Sequence, residues 1–188
     1  MAFTRHSQRR KTYNDLGHAH ELTSSCFQGY PFLKAERCCQ WLADAITDAR
    51  VKHSFDVWAF VFMPNHFHLI IHPREPTYDI SKIIYSIKSP VGREAVIYLQ
   101  KNSPEWLAKI TRQRGNRVER LFWQSGGGYD RNIVERGTLL SMIDYLHLNP
   151  VRKALVAKPE HWKWSSAALF AGESLLPLDR IPPEWLRE

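Results

Sequence analysis

Two histidines separated by one residue, His66 and His68, are the first residues whose type and spacing suggest chemistry. They follow the turn-forming pair Pro64 and Asn65, and the alternating apolar residues after them predict a half-buried strand that ends near His72. The apolar residues would face the core, and the histidines would point away from it. Side chains on one strand face lie about 6.6 Å apart, so two imidazoles can converge on one metal ion. A solvated polar strand face is the alternative interpretation, and the metal hypothesis needs a third ligand and a reactive group.

A second pair, Tyr145 and Asn149, can supply these groups. The two residues are four apart in a predicted helix, so they share one face of it. If that face crosses the polar side of the sheet, both residues meet the histidines. A phenol with a pKa of about 10 is a poor nucleophile unless a nearby cation favours the phenolate. Two imidazoles, an amide oxygen and water would suit Mg²⁺ or Mn²⁺ bound to a phosphate. Taken alone, Tyr145 would be interpreted as an ordinary core or interface residue.

The composition limits the class of protein. A chain of 188 residues with 44% hydrophobic residues suits one domain with a substantial core. The formal charge of +7 favours nucleic acid or an anionic membrane surface as a partner. No apolar run approaches the roughly 20 residues that span a bilayer, and the basic N-terminus lacks the apolar stretch of a secretory signal. Three cysteines without a Cys-x-x-Cys spacing argue against a disulfide framework or a zinc knuckle, so we expect a cytoplasmic protein.

The apolar patterns predict an α+β chain in the order strand, helix, strand, strand, helix, strand, helix. The first strand covers 20–27 and the first helix covers 34–52. The nearly continuous apolar run from Phe55 to Met63 predicts a central strand, which forms a hairpin with the histidine strand. This order matches the ferredoxin-like βαββαβ arrangement, an antiparallel sheet with helices on its faces.

Glycine and proline divide the second half of the chain. A helix begins at the N-cap Asp79, is interrupted at Ser89-Pro90 and resumes to about Gln100. Residues 102–120 are predicted as a basic loop, and 120–124 as a short strand.

The last predicted helix carries Tyr145. A capping pair, Asn132 and Glu135, would open it, and Pro150 would end or kink it. Residues 155–170 then form a tryptophan-rich cap.

Basic residues outside the histidine strand are candidates for contacts with phosphates. They lie in an N-terminal arm over 1–17, on the helix after Asp79 and in the 102–120 loop. The candidates are Arg9, Arg10, Lys88, Arg112, Arg114, Arg117 and Arg120. A solubilising tail and a solvated surface loop are equally good interpretations of the arm and the loop. Three glycines at 126–128 permit unusual φ angles or close backbone approach, but they lack the pattern of a nucleotide-binding loop.

The chain resembles the REP-associated tyrosine transposases, within the single-tyrosine branch of the HUH nucleases. The resemblance runs from about residue 20 to about residue 170, and four motifs in order carry it. They are Met-Pro-Asn-His-Phe-His-Leu-Ile at 63–70, Phe-Trp-Gln at 122–124, Asp-Tyr-Leu-His-Leu-Asn-Pro-Val at 144–151 and Trp-Lys-Trp-Ser-Ser at 162–166.

The resemblance implies a ferredoxin-like HUH core over 18–170, between the basic arm and a C-terminal tail at 171–188. It implies that His66 and His68 bind a divalent metal, Mg²⁺ or Mn²⁺, that Asn149 is an additional ligand and that Tyr145 is the nucleophile. Family members cut single-stranded DNA beside palindromic hairpin repeats and form a 5′-phosphotyrosine, which a 3′-hydroxyl can reverse. No nucleotide cofactor and no membrane are expected, and a monomer and a homodimer are both compatible with the sequence.

Three functions remain in competition. The leading one is a metal-dependent DNA strand transferase. The second is a domesticated protein that binds repeat hairpins without cutting them, although such a binder would need neither the histidines nor Tyr145. The third is a metal-dependent phosphodiesterase in which water attacks. Tyr129, beside the three glycines, is a rival nucleophile without a metal-ligand candidate at matching local spacing.

Overall fold

The computed structural model describes residue 14, residues 17–171 and residues 175–187. The predicted arm cations Arg9 and Arg10 lie outside the described residues. The strands are β1 (Ala19–Ser25), β2 (Phe55–Met63), β3 (His66–Pro73), β4 (Thr111–Arg114), β5 (Arg117–Arg120) and β6 (Tyr129–Ile133), and the helices are α1 (Glu36–His53), α2 (Ile80–Asn102), α3 (Pro104–Ile110) and α4 (Arg136–Arg152). In this part of the chain, every helix is too short or too polar to cross a bilayer.

Four strands form one antiparallel sheet in the order β2-β3-β1-β6. The crossover through α1 carries the chain from β1 to β2, and the short turn at Pro64-Asn65 returns it as β3 between them. This is the strand order of the βαββαβ arrangement, so the predicted α+β, ferredoxin-like fold is confirmed. A separate two-stranded hairpin, β4–β5, lies outside the sheet.

Apolar side chains bury both faces of the sheet. Helices α1 and α2 cover one face, where Leu42 and Ile83 pack against the odd-numbered residues of β3. Helix α4 and the C-terminal segment cover the other face, where Leu139 and Leu146 pack against Ile70. The prediction of a half-buried histidine strand was therefore wrong, because its second face lies under α4 and only its first residues reach a cavity.

Both predicted proline breaks are absent from the helices. Helix α2 continues through Pro90, because Ile87 and Val91 on either side of it are buried in the core and hold the helix against the sheet. Packing thus offsets the roughly 3 kcal/mol that an interior proline costs. Helix α4 continues through Pro150 to Arg152, and the cost is smaller there because few hydrogen bonds remain beyond the proline. The predicted N-cap of α2 is confirmed, since Asp79 accepts hydrogen bonds from two backbone amides of its first turn.

The region after α2 is more ordered than a basic loop. It contains α3 and the β4–β5 hairpin, whose two-residue turn uses Gly115 at φ +58° followed by Asn116. Residues 120–124 are not the fourth strand of the sheet; only Trp123 pairs there, in an isolated bridge to Cys26. The fourth strand is β6, after the glycines.

The predicted capping pair of α4 was also wrong. Asn132 lies within β6, and Glu135 precedes α4 without a side-chain capping hydrogen bond.

Candidate active site

The histidine pair lies at the start of β3 with its rings close together. The ring centroids of His66 and His68 are 5.0 Å apart and nearly perpendicular. The Nδ1 of His66 lies 2.7 Å from Oδ1 of Asn65, which accepts its hydrogen bond. The hydrogen-bonded nitrogen therefore carries the proton, and Nε2 of His66 keeps a lone pair.

A carboxylate and a hydroxyl on β1 orient the second histidine. His68 Nδ1 donates to Oε1 of Glu21 at 2.9 Å and lies 2.8 Å from Oγ1 of Thr23. The Thr23 hydroxyl in turn donates to Glu21 Oε1 at 2.5 Å, so both donors converge on one carboxylate oxygen. This arrangement places the proton on Nδ1 and leaves Nε2 of His68 as the ligating atom, as in the carboxylate–histidine pairs of metal sites.

The local environment keeps His66 neutral. Burial lowers its pKa to about 4, and the neighbouring His68 and Lys153 lower it in the same direction. A neutral imidazole has the free lone pair that metal binding requires, so His66 can act as a ligand without first losing a proton.

Helix α4 crosses this end of the sheet and brings Tyr145 to His68. The Tyr145 ring lies 6.0 Å from the His68 ring, edge to face. The positive charge of Lys153, two turns further along the chain, contributes to the lowered pKa of His66. Asn149 is halfway between them on the same helix face and is buried. Its Nδ2 donates a hydrogen bond to the Tyr145 carbonyl at 3.2 Å, so the side-chain oxygen Oδ1 is the atom that could bind a metal.

His68 and Tyr145 line a cavity of about 390 Å³, whereas His66 and Asn149 are not among its lining residues. Its walls are Glu21, Thr23, His68, Tyr129, Arg131, Met142 and Tyr145. The floor of the cavity consists of residues that lie side by side on β3, β1 and β6. In the strand register, Thr23 lies between His68 and Tyr129. Two residues along β1, Glu21 lies between Ile70 and Arg131.

Tyr145 is the accessible phenol beside the histidines. It is 42% exposed, and the guanidinium of Arg152 lies 4.9 Å from its ring centroid. A cation over an aromatic face is attracted to the ring, so this contact helps to fix the position of the Tyr145 ring. The rival Tyr129 lies in the same cavity, on the far side of Thr23 from His68. The geometry therefore brings both tyrosines to one site, with Tyr145 in ring contact with a histidine.

Two imidazoles with an amide oxygen are a borderline-hard donor set, which would leave a divalent cation with open positions. Among the residues that the structure describes, no group of three His, Cys, Asp or Glu side chains could hold a metal. Two imidazole nitrogens and the Asn149 amide oxygen would leave room for water and phosphate oxygens. This is the ligand balance that suits Mg²⁺ or Mn²⁺, rather than a closed structural zinc site.

The five predicted DNA-binding residues within the described part of the chain fall into three groups. Arg112 and Arg114 on β4 both pair with Glu119 on β5, at 2.8 and 3.5 Å, and the hydrogen bond from Arg112 lowers the pKa of that carboxyl. Lys88 donates to the Gly126 carbonyl at 2.8 Å, and burial lowers its pKa. Arg117 and Arg120 are exposed, and neither forms an ion pair within the described part of the chain.

Sequence patterns missed four residues of the site, namely Glu21, Thr23, Arg131 and Arg152. Glu21 and Thr23 are spaced two apart on a strand, the same signal that identified the histidines. Their partnership with His68 depends on the β1–β3 register, which the sequence does not specify. Arg152 lies seven residues, about two helical turns, after Tyr145, so helical spacing could have identified it.

Two solved structures have folds similar to that of this chain. A solved REP-associated tyrosine transposase, bound to a REP hairpin, superposes with a TM-score of 0.67 at 20% identity, over 92% of this chain and 90% of that one. This likeness supports the fold. A candidate transposase from Deinococcus radiodurans R1 is 16% identical, with a TM-score of 0.45 over 72% of this chain and 94% of that one. No curated protein matches the sequence.

The family to which the chain belongs follows from a match to a family profile. The profile described as transposase IS200-like matches residues 28–148, a segment that begins before α1 and ends within α4 beyond Tyr145. It includes the histidine strand and the tyrosine, and it covers more than half of the chain. The chain therefore belongs to the IS200-like transposase family.

Proposed function

We propose that this transposase is a metal-dependent endonuclease and strand transferase that acts on single-stranded DNA beside REP hairpins. The observation that carries the proposal is the ring contact between the accessible Tyr145 and His68, whose ring lies 5.0 Å from that of His66. In both histidines Nδ1 is the hydrogen-bonded nitrogen, so Nε2 can act as a ligand. The hairpin as partner is suggested by the solved relative, which was bound to a REP hairpin.

In the proposed reaction, the phenolic oxygen of Tyr145 attacks the scissile phosphorus and the bond to the 3′-oxygen breaks. The phenol loses its proton to solvent, and the departing 3′-oxygen takes up a proton. The product is a 5′-phosphotyrosine that a 3′-hydroxyl can reverse, so the exchange requires no nucleotide cofactor. His66, His68 and Asn149 would hold the metal ion, which offsets charge on the nonbridging phosphate oxygens when bound.

The other cavity residues orient these groups. Glu21 and Thr23 fix the tautomer of His68, and Arg152 holds the Tyr145 ring. Arg131 lies at the cavity wall, beside Met142, where it can attract a phosphate. These residues bind and orient the substrate, while Tyr145 alone forms a covalent bond.

The first prediction concerns Tyr145→Phe. The variant keeps the ring and its contact with His68 but loses the attacking oxygen, so we expect hairpin binding near the wild-type level and no cleavage. The assay uses oligonucleotides labelled separately at each end. Wild-type protein should leave a denaturation-resistant adduct on the downstream fragment, attached through its 5′ phosphate.

Tyr129→Phe is the matched control, because it removes the other phenol of the same cavity, and its adduct should form normally. An adduct that persists in Tyr145→Phe but disappears in Tyr129→Phe would reassign the nucleophile. Two free fragments without an adduct would identify water as the nucleophile and favour a phosphodiesterase. Hairpin binding by the wild-type protein without any cleavage would favour a domesticated binding protein.

A further inference from the structure

A second cavity, the aromatic cavity, has a volume of about 240 Å³ and lies among α1, α2 and α3, on the side of the sheet opposite α4 and the candidate active site. Phe32, Trp41, Tyr98 and Trp106 line it, and each of these side chains is only half-buried. Apart from two cations, its other lining residues are small or apolar. An apolar cavity lined by several aromatic side chains is typical of a site for a small ligand.

Ring contacts fix the walls of the aromatic cavity. On one part of the wall, the ring of Trp41 lies 6.2 Å from that of Tyr98, edge to face. On another part, the ring of Phe32 stacks on Phe122 at 4.9 Å and lies 5.7 Å from the ring of Trp106. Each ring is therefore held by a neighbouring ring, so the cavity is formed before a ligand enters and binding requires little ordering of side chains.

Two cations, Lys34 and Arg37, line the cavity and are exposed at its rim. The guanidinium of Arg37 lies 4.0 Å from the centroid of the Tyr98 ring, and this contact holds it beside the cavity. Within the described part of the chain, neither cation pairs with a carboxylate, and the adjacent Glu36 is paired with Lys163 instead. The positive charge of the rim is therefore not neutralised, and it favours an anion.

We propose that the aromatic cavity binds a small aromatic carboxylate. The flat ring packs against the aromatic walls, and the carboxylate lies at the rim, where Arg37 can donate two parallel hydrogen bonds to it and Lys34 adds a second positive charge. Cavities for drug-sized ligands measure roughly 300–1,000 Å³, so a cavity of about 240 Å³ suits a ligand of one or two fused rings. This site is independent of the proposed cleavage chemistry.

The hydrogen-bonding groups of the lining match a carboxylate better than a nucleobase. The polar side chains of the cavity are mainly donors, since lysine, arginine and tryptophan side chains carry no acceptor. A carboxylate only accepts hydrogen bonds, whereas each nucleobase also presents donors on its edge. Donors that are buried without a partner cost binding free energy, so a base would bind less well than an anion of similar size.

The test uses wild-type protein and two probes of the same shape, the anion 2-naphthoate and its neutral analogue 2-naphthamide. In NMR titrations, 2-naphthoate should shift the indole signals of Trp41 and Trp106 and reach saturation. Trp58 and Trp185 are internal controls, because they contact each other on the α4 side of the sheet, and their signals should not shift. Calorimetry should show an affinity about tenfold higher for the carboxylate than for the amide.

The variant Arg37→Gln/Lys34→Gln tests the two cations. Its affinity for 2-naphthoate should fall about tenfold, to that for 2-naphthamide, while its affinity for the amide stays at the wild-type level. Arg187→Gln/Lys158→Gln is the charge-matched control, since both residues are exposed and neither lines the cavity. This control should keep the full preference for the carboxylate.

The absence of a saturable shift at Trp41 and Trp106 would overturn the proposal, since the cavity would then be only a packing gap. Equal shifts at all four tryptophans would also overturn it, because the probe would then bind without selectivity. Equal affinities of the wild-type protein for the two probes would exclude recognition of the carboxylate. Displacement of 2-naphthoate by an unlabelled REP hairpin would assign the cavity to a DNA-binding surface instead, whereas simultaneous binding of both supports a separate ligand site.

Discussion

The chemistry of the site depends on the tautomer of one residue, His68. Its Nδ1 proton lies between the Glu21 carboxylate and the Thr23 hydroxyl, so its Nε2 faces the cavity as an acceptor. Glu21 is 2% exposed, and its partners in the structure are these two donors. A buried carboxylate is costly unless it is hydrogen-bonded. The hydrogen bond between Glu21 and His68 therefore serves both side chains: it stabilises the buried carboxylate and fixes the tautomer of the histidine.

The second prediction is that Glu21→Gln weakens metal binding. The amide keeps the size of the side chain but removes the negative charge that accepts the hydrogen bond from His68 and orients its ring. Changes in such outer partners reduce metal affinity by about 10- to 100-fold. Mn²⁺ titration of the protein should show this loss directly. The metal concentration that half-saturates adduct formation should rise in parallel, while the rate at saturating metal changes less.

Glu75→Gln removes one exposed carboxylate just beyond β3, at the end remote from His66, and serves as the control. It should bind Mn²⁺ like the wild type. Equal affinities in the Glu21 and Glu75 variants would show that Glu21 has a purely structural role. The variants His66→Gln and His68→Gln are better tests of the ligands than alanine changes, because His68 is buried and its removal would take one of its two donors from Glu21.

At the scale of elements, the arginines of the β4–β5 hairpin differ in whether they pair with a carboxylate. Arg112 and Arg114 share Glu119, whereas Arg117 on the opposite strand is exposed and has no acidic partner in the described structure. An arginine that already has a carboxylate partner gains less from a phosphate. The arginines without a carboxylate partner are therefore on β5. The sequence alone shows only a cluster of basic residues and does not distinguish the two strands.

The third prediction follows from that separation. Arg117→Gln should weaken binding to hairpins of any sequence, and the slope of log affinity against log salt should fall by about one. Arg112→Gln should change the slope less, because Arg112 already pairs with Glu119 and is less available to a phosphate. Binding is measured by fluorescence anisotropy over a range of salt concentrations. If the slope is the same for both variants and the wild type, the hairpin is a solvated surface without phosphate contacts.

The pattern of apolar residues along the sequence predicted the helices and strands with a regular pattern of burial. It failed where packing against other parts of the chain determines the local structure. The run from Phe55 to Met63 was predicted with the bounds that β2 has, because a central strand is apolar at nearly every position. Pro90 was misjudged, since its helix is held by buried neighbours rather than by local propensity. The fourth strand was placed at 120–124 instead of β6, whose residues are largely polar because it is an edge strand.

The predicted site residues Tyr145, His66 and His68 converge in the structure, and their roles stay predictions. The motif spacing was enough to indicate these residues. The partnership of Glu21 with His68 depends on strand register, and the register results from the packing of the whole sheet.

At the scale of the whole molecule, two buried layers determine where the site can form. The α1–α2 face is a continuous apolar core, whereas the α4 face opens at the start of β3 into the cavity. Helix α4 is held over that face by Leu139 and Leu146, and this packing places Tyr145 against His68 of the same chain. The tyrosine and the histidines therefore meet without a second copy, although the sequence was compatible with a monomer and with a homodimer.

The last prediction tests whether one chain is sufficient. His66→Gln/His68→Gln protein lacks the ligands and Tyr145→Phe protein lacks the nucleophile, so each should be inactive alone. If the two halves of the site must come from the same chain, a mixture of both variants stays inactive at every ratio. A homodimer that exchanges α4 between copies would instead regain one intact site per mixed dimer. Adduct formation is measured after the mixture has been unfolded and refolded together, so that subunits can exchange, and wild-type protein treated in the same way is the control. Recovery to about one quarter of the wild-type yield at equal ratio would show that Tyr145 acts on the histidines of a partner; no recovery supports the contact within one chain that the structure contains.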